Sequence, residues 1–197
     1  MFVPFRQSFD RTLRPFATSL TSSRRSQRRA ALRRRPAIED LEGRQMLSTL
    51  YVTNTNDSGT GSLRAAILAA DVAPAGTYST IDFNIPGSGL QEIQPQTPLP
   101  AIANPVNIDG LSQSGSTPTS PLIRIDGTDA GASAIGLDIE SSASGTATQP
   151  TQVSGLEITG FQQGGVDVND ASYVSLNDLS VGVARQGSNV VDAPNDG

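Results

Sequence analysis

The chain has 197 residues, 36% of them apolar and 5% aromatic, with 19 Gly, 13 Pro and no Trp, His or Cys. Lacking His and Cys, it can form no thiol nucleophile, Ser-His-Asp triad, His-based metal site or disulfide. The formal net charge of −5 averages two unlike parts: residues 1–44 hold eleven Arg against four acids, residues 45–197 three Arg against fifteen.

The length suits one domain, or one domain plus a tail. The tail is N-terminal. Arg24-Arg25, Arg28-Arg29 and Arg33-Arg34-Arg35 alternate with Ser, Gln and Ala, and dense like charge without hydrophobic periodicity predicts a disordered leader over residues 1–48, dispensable for folding. Nucleic acid is not the expected partner, because the leader lacks interleaved aromatics and the acidic body would repel phosphate. The longest apolar run near the arginines is Ala30-Ala31-Leu32, too short for the core of a secretory or twin-Arg signal. No stretch approaches the ~20 apolar residues of a membrane-spanning helix.

The leader closes on Leu41-Glu42-Gly43-Arg44-Gln45-Met46-Leu47-Ser48. This resembles the L-E-P-R-x-L-L motif that follows Arg-rich leaders in predicted surface proteins of planctomycete-type bacteria. Leu41, Glu42, Arg44, Leu47 and Ser48 match it, while Gly43 replaces Pro and Met46 replaces Leu. The resemblance implies a targeting or processing segment.

Next comes Tyr51–Ala70, YVTNTNDSGTGSLRAAILAA. Asn56-Asp57-Ser58 reads as a turn that Gly59 and Gly61 continue. Ser62 is suited to cap a helix over 62–71, with Leu63, Ala66, Ile67 and Ala70 on one apolar face. Pro74 and Gly76 end it. Leu63 and Ile67 are the expected contacts with the core, and Arg64 is expected on or beside the exposed face.

From Thr80 onward, short β-branched runs alternate with turn residues: 81–85, 92–93, 106–108, 122–125, 136–139, 156–159, 166–168 and 174–183. Leu137-Asp138-Ile139, Leu156-Glu157-Ile158 and Val166-Asp167-Val168 each place two aliphatics on one side and an acid on the other. No Asn-Gly or Asp-Gly step joins closely spaced strands as a two-residue hairpin would. Asp109-Gly110 and Asp126-Gly127 close strands seventeen positions apart in matching contexts, and the phrases GLDIE, GLEITG and GVDV echo one another as stacked coils do. Ser141–Thr151 reads as a projecting loop.

The stretch 51–70 followed in order by TIDFNIPGSG (80–89), NPVNIDGLSQSG (104–115), PLIRIDG (121–127) and SGLEITGFQQGGVDV (154–168) resembles the module that opens bacterial surface-displayed parallel β-helices, where a helix reading C-S-L-R-E-A-I caps the first coil. Here it stands as Gly61-Ser62-Leu63-Arg64-Ala65-Ala66-Ile67, with Gly61 for Cys and Ala65 for the acid. The resemblance implies an all-β chain, a right-handed parallel β-helix over 49–197 sealed by one short helix, and an extracellular or cell-surface location. Nothing comparable to the opening helix follows Val183, which reads as a truncated chain.

Catalysis by a β-helix of this kind needs a carboxylate-bound Ca²⁺ with a base, or paired carboxylates. The carboxylates on strands are Asp82, Asp109, Asp126, Asp138, Glu157, Asp167 and Asp178. Asp109 and Asp126 sit in Asp-Gly steps, where a carboxylate accepts turn bonds. Asp138, Glu157 and Asp167 are the polar halves of alternating strands and need only face water. No catalytic residue is assigned and no cofactor is expected, except weak Ca²⁺ binding at stacked Asp138 and Asp167. Arg124 and Asp126, as single solvated charges, are expected to matter little. The expected function is a non-catalytic structural or adhesive segment that binds carbohydrate or a cell-surface protein. The alternative is the N-terminal part of a polysaccharide lyase or hydrolase.

Overall fold

The computed structural model describes residues 46–74, 77–186 and 189–192. In chain order the elements are β1 (Met46–Val52), α1 (Leu63–Asp71), β2 (Thr77–Phe83), β3 (Gln91–Ile93), β4 (Val106–Asp109), β5 (Ile123–Asp126), β6 (Ile135–Ile139) and β7 (Thr151–Ser154). They continue as β8 (Leu156–Thr159), β9 (Gly164–Val168), β10 (Val174–Asn177), β11 (Ser180–Val181), β12 (Val183–Gln186) and β13 (Asn189–Asp192). The chain is thus mostly short strands with one α-helix among the described residues, as the alternation predicts.

Three sheets are wholly parallel. The first runs β1-β2-β4-β7-β10, the second β3-β5-β8-β11, and the third pairs β6 with β9. Ile102 extends the third sheet through a parallel bridge to Ile139. From β2 to β11 the chain visits first, second and third sheet in rotation, with the single residue Ile102 standing for the third on the first round. Strands far apart in sequence therefore become neighbours in register. Because side chains alternate along a strand, in-register pairing collects the apolar positions into inward rows. One row is Leu50, Ile81, Ile108 and Val153; others are Ile93, Ile125 and Ile158, and Ile102, Ile139 and Val168. Of these, Ile81, Ile108, Val153, Ile125, Ile158 and Ile139 are fully buried.

The structure corrects several expectations. β1 begins at Met46, so Leu47 and Ser48 of the targeting motif lie within a strand, not a leader; Leu41, Glu42 and Arg44, like the rest of 1–45, lie outside the described residues. β7 was not foreseen, because Thr-Gln-Val-Ser has a single aliphatic to mark its inward face. The run 174–183 is three pieces, broken by Asp178 at φ 53° and Gly182 at φ 76°. The two Asp-Gly steps end strands of different sheets, β4 and β5, so they do not stack. GLDIE and GVDV do stack, with Leu137 beside Val166 and Asp138 beside Asp167, but GLEITG lies in the second sheet against β5. The loop after β6 is pinned: Ala143 and Thr151 are buried, Gly145 N–H donates to Ser172 O, and Ser172 N–H donates to Ser144 Oγ. β12 and β13 pair antiparallel, a pairing the polar sequence after Val183 did not announce.

α1 packs against β1 and β2. Ser62 is its N-cap, with Oγ accepting from the Ala65 N–H, and Leu63, Ala66, Ile67 and Ala70 are buried. Gly61, at φ +81°, lies so close to β1's continuation that a Cβ would come 2.3 Å from Thr53 Oγ1; Thr53 and Asn54 N–H both donate to its carbonyl. The positive φ and that close approach both favour glycine at this position.

Arg64 lies beside the exposed face, with its side chain partly buried. Its guanidinium donates to Asp57 Oδ1 (2.8 Å), Asp57 O (3.1 Å), Thr97 O (2.8 Å) and Pro98 O (2.7 Å), and Asp57 Oδ1 also accepts the Gln96 N–H. At the other helix end, Asp71 Oδ1 accepts the N–H groups of Ala103 and Asn104, while Asn104 Nδ2 donates back to Ala70 O and Asp71 O. Both helix ends are tied to the segment 96–104, which links β3 to β4.

Ile67→Asp places a charge in that dry contact and should unfold the body. Arg64→Ala should keep the fold but lower stability by about 2–3 kcal/mol, through lost charge-assisted hydrogen bonds. Urea denaturation followed by far-ultraviolet circular dichroism checks both; an Ile67→Asp variant as stable as the parent would show that α1 does not seal the core.

Candidate functional site

The outward positions of the first sheet form two polar rows. One runs Tyr51, Asp82, Asp109, Ser154 and Asn177; the other Thr49, Thr80, Asn107, Gln152 and Ser175. Alternation along each strand puts them there, opposite Ile81, Ile108 and Val153. At β4, β7 and β10 these rows line a groove of about 620 Å³, formed by Asn107, Asp109, Gln152, Ser154, Asn177 and Asp178, with Leu111 and Leu176.

Close stacking of turns shapes the groove. Gly110 sits directly over Gly155, where an added Cβ would meet Gly155 O at 2.2 Å, and Gly155 is itself at φ +66° against Leu111. Asp109 Oδ1 accepts from the Leu111 N–H (3.0 Å) and from Ser154 Oγ (3.3 Å). Ser112 Oγ donates to Asp109 O and accepts the Phe83 N–H, and Gln113 holds both the N–H and the C=O of Ile85 at 2.9 Å. The loop after β4 thereby continues the ladder beyond the last backbone pair.

Asp82 and Asp109 are neighbours in register. Burial, followed by the Asp109 charge, pushes the Asp82 carboxyl above its usual range. Asp57 goes the other way: the Arg64 hydrogen bond first, then the Gln96 N–H, hold it below that range.

The second sheet carries the strongest charge contact. Arg124 lies between Glu92 and Glu157 in the ladder. Its Nε and Nη2 reach Glu157 Oε2 at 3.1 and 3.0 Å, and Nη1 reaches Glu92 Oε2 at 3.2 Å. Glu157 is fully buried, so it does not face water as its alternating strand suggested; nor is Arg124 a solvated single charge. Asp126 fits the turn reading, with Oδ1 accepting both the N–H and Oγ1–H of Thr128.

Asp138 and Asp167 are adjacent in the third sheet, and Asn169 Nδ2 donates to both, at 2.8 and 3.3 Å. An amide donor therefore occupies the place between the carboxylates. Two carboxylates supply only part of the six to eight oxygens that Ca²⁺ takes, so an ion there would need carbonyl or water oxygens as well; no cluster of three or more acidic groups suited to a metal occurs among the described residues.

Sequence reasoning singled out Asp109 and Asp178 but missed Asn107, Gln152, Ser154 and Asn177. The available signal was V-N-I-D, T-Q-V-S and V-S-L-N, three segments with polar residues at the same alternate positions. No known protein family, curated protein or solved structure matches the chain.

Two expectations follow. Glu157→Ala strands Arg124 in a mostly buried setting and should cost about 3–5 kcal/mol, whereas Glu92→Ala, at the exposed side, should cost about 0–1 kcal/mol; chemical denaturation measures both, and equal losses would refute the asymmetry. The second concerns pH. Asp82 has a folded pKa above its unfolded value, so its contribution favours folding below about pH 4 and is lost as pH rises through the folded pKa. Asp82→Asn should therefore raise the melting temperature at neutral pH, and the gain should vanish in acid.

Proposed function

We propose that residues 46–192 belong to a right-handed parallel β-helix in a protein exported to the bacterial cell surface, and that this segment is a non-catalytic structural or adhesive module whose first-sheet face binds carbohydrate. The fold reading is supported by the rotation of the chain through three parallel sheets, each return adding a strand beside the one before. Export is supported by the resemblance of the leader and of the opening module.

One observation carries the binding role: the groove at β4, β7 and β10 presents amides, a hydroxyl and carboxylates at regular ladder steps, flanked by two leucines. Hydroxyl-rich ligands need closely spaced donors and acceptors, and the apolar faces of sugar rings need a hydrophobic flank. Strand pairing holds those groups in place, so little ordering entropy is lost on binding. Ca²⁺ has at most an accessory role at Asp138 and Asp167.

The rival is a carbohydrate-active enzyme, favoured by the Asp82–Asp109 pair, since hydrolases use paired carboxylates. Against it, Asp109 Oδ1 is already engaged by Leu111 and Ser154. The full-length chain should bind oligosaccharides in a calorimetric screen and release no reducing ends, with or without Ca²⁺. Gln152→Ala should weaken binding about tenfold without lowering the melting temperature. Sustained product formation would replace the adhesive reading with the enzymatic one.

A further inference from the structure

We infer that the β1–α1 end of the body is a self-association surface, occupied by the same end of a second copy across a twofold axis. The inference is independent of the binding role given to the groove.

Two open faces lie together there. Among the described residues β1 pairs on one side only, with β2, so its other edge presents unpaired backbone donors and acceptors. α1, packed against both strands, is apolar on both of its sides. Leu63, Ala66, Ile67 and Ala70 face the core. Ala65, Leu68, Ala69 and Val72 fall on the opposite side at helical spacing, with Leu68 49% and Val72 81% exposed. A helix apolar all round is one that is covered all round.

The pattern of β1 selects the occupant. Met46-Leu47-Ser48-Thr49-Leu50-Tyr51-Val52 holds no charge and no proline, two of the devices that keep an edge strand from pairing. Its outward residues, Leu47, Thr49 and Tyr51, are all exposed, and they are arranged symmetrically about Thr49. An antiparallel copy centred on Thr49 sets Leu47 against the second copy's Tyr51 and brings the two Thr49 side chains together, giving an aliphatic–aromatic and a Thr–Thr cross-strand pair. Such self-complementarity is what a twofold interface requires.

Charge points the same way. Residues 45–197 hold three Arg against fifteen acids, so two bodies repel over most of their surface. From Met46 to Pro74 the charged residues are Asp57, Arg64 and Asp71. All three are tied within the body, Asp57 to Arg64 and Asp71 to the Ala103 and Asn104 N–H groups. At the far end of the stack Val168, Leu176 and Val181 are also exposed, but Asp167, Asp170 and Asp178 stand among them, and a second copy there would crowd like charges.

Size sets the strength. The strand spans about 23 Å and sheet plus helix about 20 Å, so the contact covers on the order of 900 Å² from both copies. That is below a standard interface and corresponds to a weak, reversible dimer, with a dissociation constant on the order of 10–100 μM.

Sedimentation of the full-length chain across that concentration range should show a monomer–dimer equilibrium that persists in about 1 M salt, where exposed charges are screened. Leu68→Glu and Val72→Glu should each weaken it at least about tenfold and leave the melting temperature of the dilute monomer unchanged, since both side chains are solvent-facing there. The chain has no cysteine, so engineered thiols report the register. Thr49→Cys should oxidise to a covalent dimer, and Leu47→Cys should not, because the two sulfurs would stand beyond disulfide reach. A monomer at every concentration, a dimer that both Glu variants leave intact, or cross-linking through Leu47→Cys in preference to Thr49→Cys overturns the inference. A dimer that salt dissociates overturns it in favour of the Arg-rich residues 1–44 of one copy holding the acidic body of another.

Discussion

Everything in this body depends on keeping parallel strands in register while sealing the first layer they create. A parallel ladder buries its inner rows only where another layer lies above and below, and among the described residues no strand lies beyond β1. α1 supplies that missing cover with four buried apolar side chains. Hydrophobic contact is non-directional, so it does not fix where a nine-residue helix settles. The polar ties do. Arg64 and Asp57 hold one end to residues 96–98, and Asp71 and Asn104 hold the other to residues 103–104. Asn104 also answers the Ala70 and Asp71 carbonyls that the end of the helix would leave open. Seal and register are therefore one structure.

In-register stacking also decides the fate of every charge. Identical positions on successive strands lie side by side, so like charges crowd and unlike charges pair without any freedom to move apart. Arg124 falls between Glu92 and Glu157, and the result is a buried ion pair. Asp82 falls beside Asp109, and Asp82 gives up part of its acidity. Asp138 falls beside Asp167, and Asn169 donates a hydrogen bond to each. One geometry gives three outcomes, set by which residue occupies the neighbouring strand and, for Asp82, first by burial.

This explains what the sequence reveals and what it conceals. Alternation is a local property, so the strands holding Ile81, Ile108, Ile125, Ile139 and Ile158 were legible, as was the helix with its Ser62 cap. Pairing is not local. Nothing in Leu156-Glu157-Ile158 announces that it lies beside Ile123-Arg124-Ile125 and not beside the more similar Leu137-Asp138-Ile139. Glu157 was accordingly read as solvated when its ladder neighbour makes it the partner of a buried arginine. The partners of Arg64 were missed for the same reason: besides Asp57 they are carbonyls some thirty residues away, and a carbonyl leaves no mark on composition. The groove was half legible, through Asp109 and Asp178. Its amides became visible only once β4, β7 and β10 were known to be consecutive in one sheet.

The groove also inherits its rigidity from the core, because the two are opposite faces of the same strands. Side chains alternate with a period of two, so a slip of one residue in β7 would turn Val153 outward and bring Gln152 and Ser154 inward. Burying those polar groups unsatisfied would cost several kcal/mol, on the order of the stability of a small domain. Register errors that would spoil the binding face are therefore already penalised by folding. Outward groove residues such as Gln152 are freer to change than Val153, since their replacement does not disturb the inward rows. A surface built this way can change its chemistry one row at a time while the spacing of its groups stays fixed by the backbone.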